Sequence, residues 1–207
     1  MPELHAELLK NMASAGLDPD FPLELALPVK MLVMDADGVL TDGGLYYDNN
    51  GLALKRFDVQ DGLGIRLAQK AGIESAIISG MRSKALEQRA MDLEVAECHA
   101  GQFQKLSCLR EIMRRKNLRW ANVAYIGDDL IDLPVMLRAG LAVAVQNAQP
   151  EVKLMAHYVS PLAGGRGAVR QLLRQIMMAQ GRQEEVISWF ARLEEHDGPP
   201  LHDALKS

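Results

Sequence analysis

Two aspartates one residue apart, Asp35 and Asp37 in the stretch MLVMDADGVLTDG, follow four apolar residues and precede a glycine and a third acid, Asp42. Carboxylates that close repel one another, and a cation held between them keeps both ionised. Further groups of chemical interest recur in order downstream: Ser79 in AIISGMRS, Lys105 after GQFQ, and Asp128, Asp129 and Asp132 in YIGDDLID. Aspartate oxygens without His or Cys in the pattern form a site for a hard cation, and a few protein ligands with room for water suit Mg2+ better than Ca2+. Such ions commonly handle phosphates. Phosphate chemistry also asks for a fixed positive charge opposite the metal, and Lys105 is the candidate.

These residues can meet only if the fold brings them to one rim. From Met31 onward, short apolar runs alternate with stretches of helical period. The expected strands are KMLVMD, ESAIIS, EVAECH, NVAYIGD, LAVAV and HYVS; the expected helices are Asp61–Ala71, Ser83–Asp92, Gln102–Lys116, Leu130–Ala139 and Ala168–Gln180. That alternation predicts an α/β domain, a three-layer Rossmann-like parallel sheet with helices on both faces. Ligands of such sheets sit beyond the carboxyl ends of the strands, where Asp35, Asp37, Ser79, Asp128, Asp129 and Asp132 fall. One interval departs from the rhythm. GGLYYDNNGLALKRFD carries two alternating runs around Asn49, Asn50 and Gly51, the chemistry of a β-hairpin inserted after the first strand.

A length of 207 residues with 48% apolar side chains suits one globular domain with a substantial core. The expected division is an N-terminal helix and linker over 1–28, a catalytic unit over 29–181 with the hairpin at 43–58, and a short helix and tail over 182–207. The net charge is -4 with the basic residues dispersed, which gives no footprint for nucleic acid or a membrane surface. No apolar run approaches the ~20 residues of a membrane span, and the N-terminal stretch lacks the pattern of a signal peptide, so a cytoplasmic location is expected. Cys98 and Cys108 lack the spacing of a disulfide framework or a zinc site and read as reduced structural thiols.

The ordered set Asp-x-Asp, Ser, Lys, Gly-Asp-Asp-x-x-Asp resembles the haloacid dehalogenase superfamily. Within it, DGVLTDG with the following hairpin, VAYIGDDLIDLPVM and GGRGAVRQLL resemble the 3-deoxy-D-manno-octulosonate 8-phosphate (KDO 8-phosphate) phosphatases, over about Lys30 to Gly181. The resemblance implies a Mg2+-dependent phosphomonoester hydrolase of lipopolysaccharide biosynthesis, acting through an aspartyl-phosphate. Asp35 is then the nucleophile and Asp37 the acid/base; Asp35, the Asp37 carbonyl and Asp128 hold the metal; Lys105, Ser79 and Gly80 hold the phosphate. Asp129 and Asp132 steady the metal shell and Lys105.

The interval between Asp42 and Asp61 leaves no room for a cap domain, so the hairpin stands in its place. In the resembled family such hairpins join four subunits, and a neighbour covers the site; Leu45, Tyr46, Leu52, Leu54 and Phe57 supply the physical reason, since an isolated hairpin needs another surface. The glycines of GGRGAVR present backbone N–H groups before a helix, and Arg166 or Arg170 could pair with a substrate carboxylate. Lys55 and Arg66 flank DVQDG as further substrate contacts. The family places Arg or Lys after Ser-Gly, whereas this chain has Met81 and then Arg82, a shift of about 100° if the segment is helical. A related nine-carbon 2-keto-3-deoxy acid 9-phosphate is therefore an alternative substrate, and a non-catalytic phosphatase-like oligomerisation domain is the alternative from another class.

Overall fold

A computed structural model describes residues 16–192. The helix expected before Gly16 and the tail beyond Arg192 lie outside the described residues. Six parallel strands form the central sheet: β1 (Met31–Met34), β4 (Glu74–Ser79), β5 (Glu97–Ala100), β6 (Val123–Gly127), β7 (Leu141–Ala144) and β8 (Tyr158–Val159), in the order β5-β4-β1-β6-β7-β8. The hairpin is a separate two-stranded sheet of β2 (Tyr46–Asp48) and β3 (Gly51–Leu54). Met34 stands opposite Ile77 on one side and Ile126 on the other, so the chain leaves β1 between the ends of β4 and β6. That is the point where strand order reverses, and the site is expected there.

Helices α1 (Leu23–Ala26), α2 (Val59–Lys70), α3 (Lys84–Asp92) and α7 (Ala168–Ala179) cover one face; α4 (Lys105–Arg115), α5 (Leu133–Met136) and α6 (Pro150–Met155) cover the other, as right-handed crossovers require. A last helix, α8 (Gln183–Arg192), follows α7. Burial on both faces explains the unbroken apolar runs: every residue of β1 and β7 is buried. Residues 16–29 lie across α7, where Gln175 donates to the Gly16 carbonyl and accepts from the Asp18 amide, and Gln180 donates to the carbonyls of Ala26 and Val29.

Most expected elements shift by one or two residues at their ends, and three differ more. EVAECH begins as a strand only at Glu97, because α3 ends with Glu94 at φ 53 and the Val95 amide donating to Ala90, a left-handed helix stop. Gln102–Lys116 becomes helical at Lys105, after a loop that turns Phe103 outward. Leu130–Ala139 splits into a 3-10 turn, Leu130–Asp132, and the short α5, with Pro134 in its first turn. The hairpin turn is tighter than the Asn-Asn-Gly reading, since Gly51 already pairs with Asp48, whose side chain accepts from the Asn50 amide at 2.7 Å.

The segment GGRG, read as an anion site, is instead a latch. The Gly165 amide donates to the Val39 carbonyl at 2.8 Å, the Gly164 amide to Asn147 Oδ1 at 2.9 Å, and Arg56 Nη1 to the Gly165 carbonyl at 2.6 Å. The start of α7 is already capped by an anion from within the chain: Asp61 accepts from the amides of Gly167 (3.2 Å) and Arg170 (2.8 Å). A Cβ at Gly164 would stand 1.7 Å from the Gly38 carbonyl oxygen, in the loop that carries Asp35 and Asp37. Gly164→Ala is therefore expected to cost stability at the upper end of about 1–3 kcal/mol and to lower turnover with it, read as a fall in the urea midpoint and in kcat together.

Candidate active site

Asp35 follows the last residue of β1 and starts a tight π-type turn, Ala36–Leu40. Its Oδ1 accepts from the Ala36 amide at 2.7 Å and pairs with Lys105 Nζ at 2.8 Å, which leaves the second oxygen for attack. Lys105, the first residue of α4, is buried and also pairs with Asp132 Oδ1 at 2.7 Å. Asp132 is fully engaged: Tyr125 donates to Oδ1 at 2.6 Å, and Oδ2 accepts from the amides of Asp128 (2.9 Å) and Asp129 (3.3 Å). Asp132 thus fixes both the lysine and the loop that presents Asp128.

Oxygens of Asp35, Asp128 and Asp132 lie within 4.8 Å of one another. Burial, the Asp132 charge and then, in opposition, Lys105 set the Asp35 carboxyl, which is pushed up to about 6; burial with Asp35, Asp132 and Asp129 pushes Asp128 up to about 8. Against the desolvation that burial imposes, Asp132 and Asp35 hold the Lys105 ammonium above its ordinary value. One lysine does not neutralise three acids. The mismatch ends at one atom, Asp128 Oδ1, which is buried with no hydrogen-bond partner. Gly38 makes room beside it at φ 88, and a Cβ there would stand 2.1 Å from Asp128 Oδ2. An unpartnered carboxylate oxygen in an oxygen-rich, acid-heavy cluster fits a hard divalent cation.

A carboxyl raised above its unfolded value of about 3.9 keeps its proton longer in the folded protein, so folded-state stability falls as pH rises from about 4 through about 8. A cation that binds the ionised cluster reverses that loss. Added Mg2+ is expected to raise Tm more at pH 8 than at pH 5, and an equal gain at both would refute the cluster as its site.

The acids open onto a cavity of about 200 Å³ lined by Asp35, Asp37, Lys105, Asp128 and Asp129 together with Gly80, Met81, Phe103 and Ile131. Ser79 lies behind Gly80, fully buried, with its hydroxyl 3.5 Å from Asp37 Oδ2 and hydrogen-bonded to the Met81 backbone. Asp37 Oδ1 pairs with Lys55 Nζ at 2.5 Å. Lys55 therefore sits behind Asp37 rather than on the cavity wall. The expected arginines are elsewhere. Arg82 lies over Gly101, where a Cβ would meet its Cγ at 2.8 Å, and is absent from the cavity lining, which holds Met81 instead. Arg166 is exposed outside the cavity, Arg170 lines a second cavity with Gln60, Gln171 and Gln175, and Arg66 is buried against Glu94 and the Leu93 carbonyl. Tyr125 and Phe103 join the site from outside its sequence motifs. A tyrosine inside the buried strand VAYIG signals a hidden partner for its hydroxyl; Phe103, 76% exposed, carries no local signal.

Known proteins resemble this chain in sequence and in fold. Residues 65–172 match the model of the haloacid dehalogenase-like hydrolases. The chain is 45% identical over 157 residues to the 3-deoxy-D-manno-octulosonate 8-phosphate phosphatase KdsC of Salmonella typhi, covering 76% of this chain and 84% of that one. The crystal structure of the Yersinia pestis phosphatase superposes with a TM-score of 0.78 at 44% identity, covering 80% of this chain and 89% of that one. That of the Moraxella catarrhalis phosphatase, in complex with a magnesium ion, a phosphate ion and KDO, does so with a TM-score of 0.79 at 35% identity, covering 81% and 97%.

Proposed function

The chain belongs to the KDO 8-phosphate phosphatases of the haloacid dehalogenase-like hydrolases, and from that membership we propose how its own residues release phosphate. The reaction is the Mg2+-dependent hydrolysis of KDO 8-phosphate to KDO and inorganic phosphate, a step of lipopolysaccharide biosynthesis. The observation that carries this reading is the buried Asp35–Lys105–Asp132 chain beside the unpartnered Asp128 oxygen. Asp35 and Asp128 side chains, with the Asp37 carbonyl, would hold Mg2+, which when bound neutralises charge on nucleophile and phosphate and orients them.

The free oxygen of Asp35 attacks phosphorus, and the bond from phosphorus to the sugar oxygen breaks as the aspartyl-phosphate forms. Asp37 delivers a proton to the departing alkoxide. Water then attacks the same phosphorus, Asp37 takes a proton from it, and the Asp35–phosphate bond breaks. Lys105 holds the nucleophile and meets the phosphate charge, and the Gly80 amide donates to a phosphate oxygen, as does the Ser79 hydroxyl once it turns from the Met81 carbonyl toward the cavity.

The catalytic unit is assigned to 29–181, and the hairpin of 43–58 is assigned to a homotetramer interface. Its Leu45, Tyr46, Tyr47 and Leu54 are exposed, Tyr47 to 66%, on a two-stranded sheet that pairs with no other strand among the described residues. Among those residues no helix is long and apolar enough to cross a membrane, and a cytoplasmic location is assigned with the family.

Phosphate release with Mg2+ from KDO 8-phosphate, set against hexose and pentose phosphates and a nine-carbon acid 9-phosphate, tests the substrate. Met81 in the cavity lining makes the nine-carbon comparison the informative one. Preference for KDO 8-phosphate is expected; preference for the longer acid would move the substrate and keep the mechanism. Inertness toward the whole panel would return the chain to a non-catalytic oligomerisation role.

A further inference from the structure

The strand β3 ends at Leu54, and the next three residues cross the catalytic loop as a clasp. Lys55 pairs with Asp37 at 2.5 Å, Arg56 donates to the Gly165 carbonyl at 2.6 Å, and Phe57 bridges to Thr41 as an isolated antiparallel pair. The Lys55 side chain is 1% exposed while Asp37 is 22% exposed, so the ammonium lies on the protein side of the carboxylate. Lys55 is not among the residues lining the catalytic cavity, whereas Asp37 is.

We infer that Lys55 is a positioning residue for Asp37: it holds Oδ1 from behind and so turns Oδ2 toward the substrate's bridging oxygen. The inference rests on the phosphatase reading above. A carboxylate at the end of a single Cβ has two-fold freedom about its last bond, and proton transfer needs one oxygen within hydrogen-bond reach of the leaving group. Oδ1 is occupied by Lys55. Oδ2 has only the weak contact with Ser79 at 3.5 Å and is the oxygen left for chemistry. A buried lysine is desolvated at a cost that this single ion pair must offset, which ties the clasp to the acid/base and to no other partner of Lys55 that the described residues show. The direct substrate contact expected of Lys55 from sequence is thereby replaced by an action through Asp37.

The two half-reactions make the role measurable. Departure of a sugar alkoxide needs the proton that Asp37 delivers; departure of p-nitrophenolate does not. Hydrolysis of the aspartyl-phosphate needs Asp37 as a base whatever the leaving group was. The Mg2+-loaded protein and its Lys55→Met, Lys55→Arg, Asp37→Asn and Asp37→Asn/Lys55→Met variants are therefore compared on KDO 8-phosphate and on p-nitrophenyl phosphate. For Lys55→Met the expected results are a fall in kcat on KDO 8-phosphate of roughly 30- to 100-fold, the scale of a catalytic group displaced by about 1 Å, with KM within about threefold by the same argument. On p-nitrophenyl phosphate it releases a burst of about one nitrophenol per site before slow turnover. Lys55→Arg recovers most of the loss, and Lys55→Met adds nothing in the Asp37→Asn background.

Multiplicative effects in the double variant, a raised KM with kcat intact, or a missing burst would each overturn the role of Lys55. The double variant carries no unpaired buried charge, and if Lys55→Met alone fails to fold, a further loss in the double variant relative to Asp37→Asn still overturns the role. Inertness of the unmutated protein toward both esters would instead overturn the phosphatase reading and this inference with it.

Discussion

Asp35→Asn is expected to lower phosphate release by at least about 10⁴-fold, the scale on which loss of a nucleophile is felt, and to raise the melting temperature of the metal-free protein. Both outcomes come from one geometry. Asparagine keeps an oxygen for the Ala36 amide, now 2.7 Å from Oδ1, so the turn after β1 stays in place. It cannot form the aspartyl-phosphate. It also removes one of three acids that crowd a single lysine, the crowding that with burial pushes Asp35 to about 6 and Asp128 to about 8. The gain in Tm on adding Mg2+ is expected to shrink in the variant, because one of the proposed ligands is gone. Phosphate release above about a hundredth of the unmodified rate would show that another group attacks phosphorus, since a positioned but non-nucleophilic site retains far less.

Lys105→Met is the second large effect, on stability and chemistry at once. The lysine is buried between Asp35 Oδ1 at 2.8 Å and Asp132 Oδ1 at 2.7 Å, and no other cation among the described residues pairs with either. Its loss leaves two buried carboxylates without a counter-charge, a change that typically costs about 3–5 kcal/mol. For a chain of this size that corresponds to a fall in Tm of roughly 10 °C. Turnover should fall by at least about 10²-fold, as expected when a group that stabilises developing charge is removed. The pair Lys105→Met/Asp132→Asn separates the two consequences: stability returns in part, because the acid is gone with its partner, while activity stays low. Full recovery of activity in the pair would place the phosphate-binding charge elsewhere.

Much of this is legible in the sequence, and for a local reason. Strand and helix periods are properties of neighbouring residues, so MLVM, ESAIIS and VAYIG announce buried parallel strands wherever they are placed. Residues that end such strands must share one rim, because parallel strands all point the same way. Asp35, Asp37 and Asp128 could therefore be brought to one place from sequence order alone, with Lys105 at the start of the helix opposite.

Pairings between distant residues were decided by the tertiary structure. A lysine or arginine reads the same in a sequence whether it meets solvent, substrate or a buried acid. Lys55 proved to back Asp37, Arg66 to bind Glu94, and Arg170 to line another cavity, none of which its neighbours in the chain specify. Likewise the glycines before α7 have the composition of an anion site, yet Asn147, Val39 and Asp61 already accept from the amides of Gly164, Gly165 and Gly167. The chemistry of the residues and the direction of their strands were set by sequence; which charge faces which, and therefore which remain free to act, depended on how α2, α7 and the hairpin exit pack around the loop after β1.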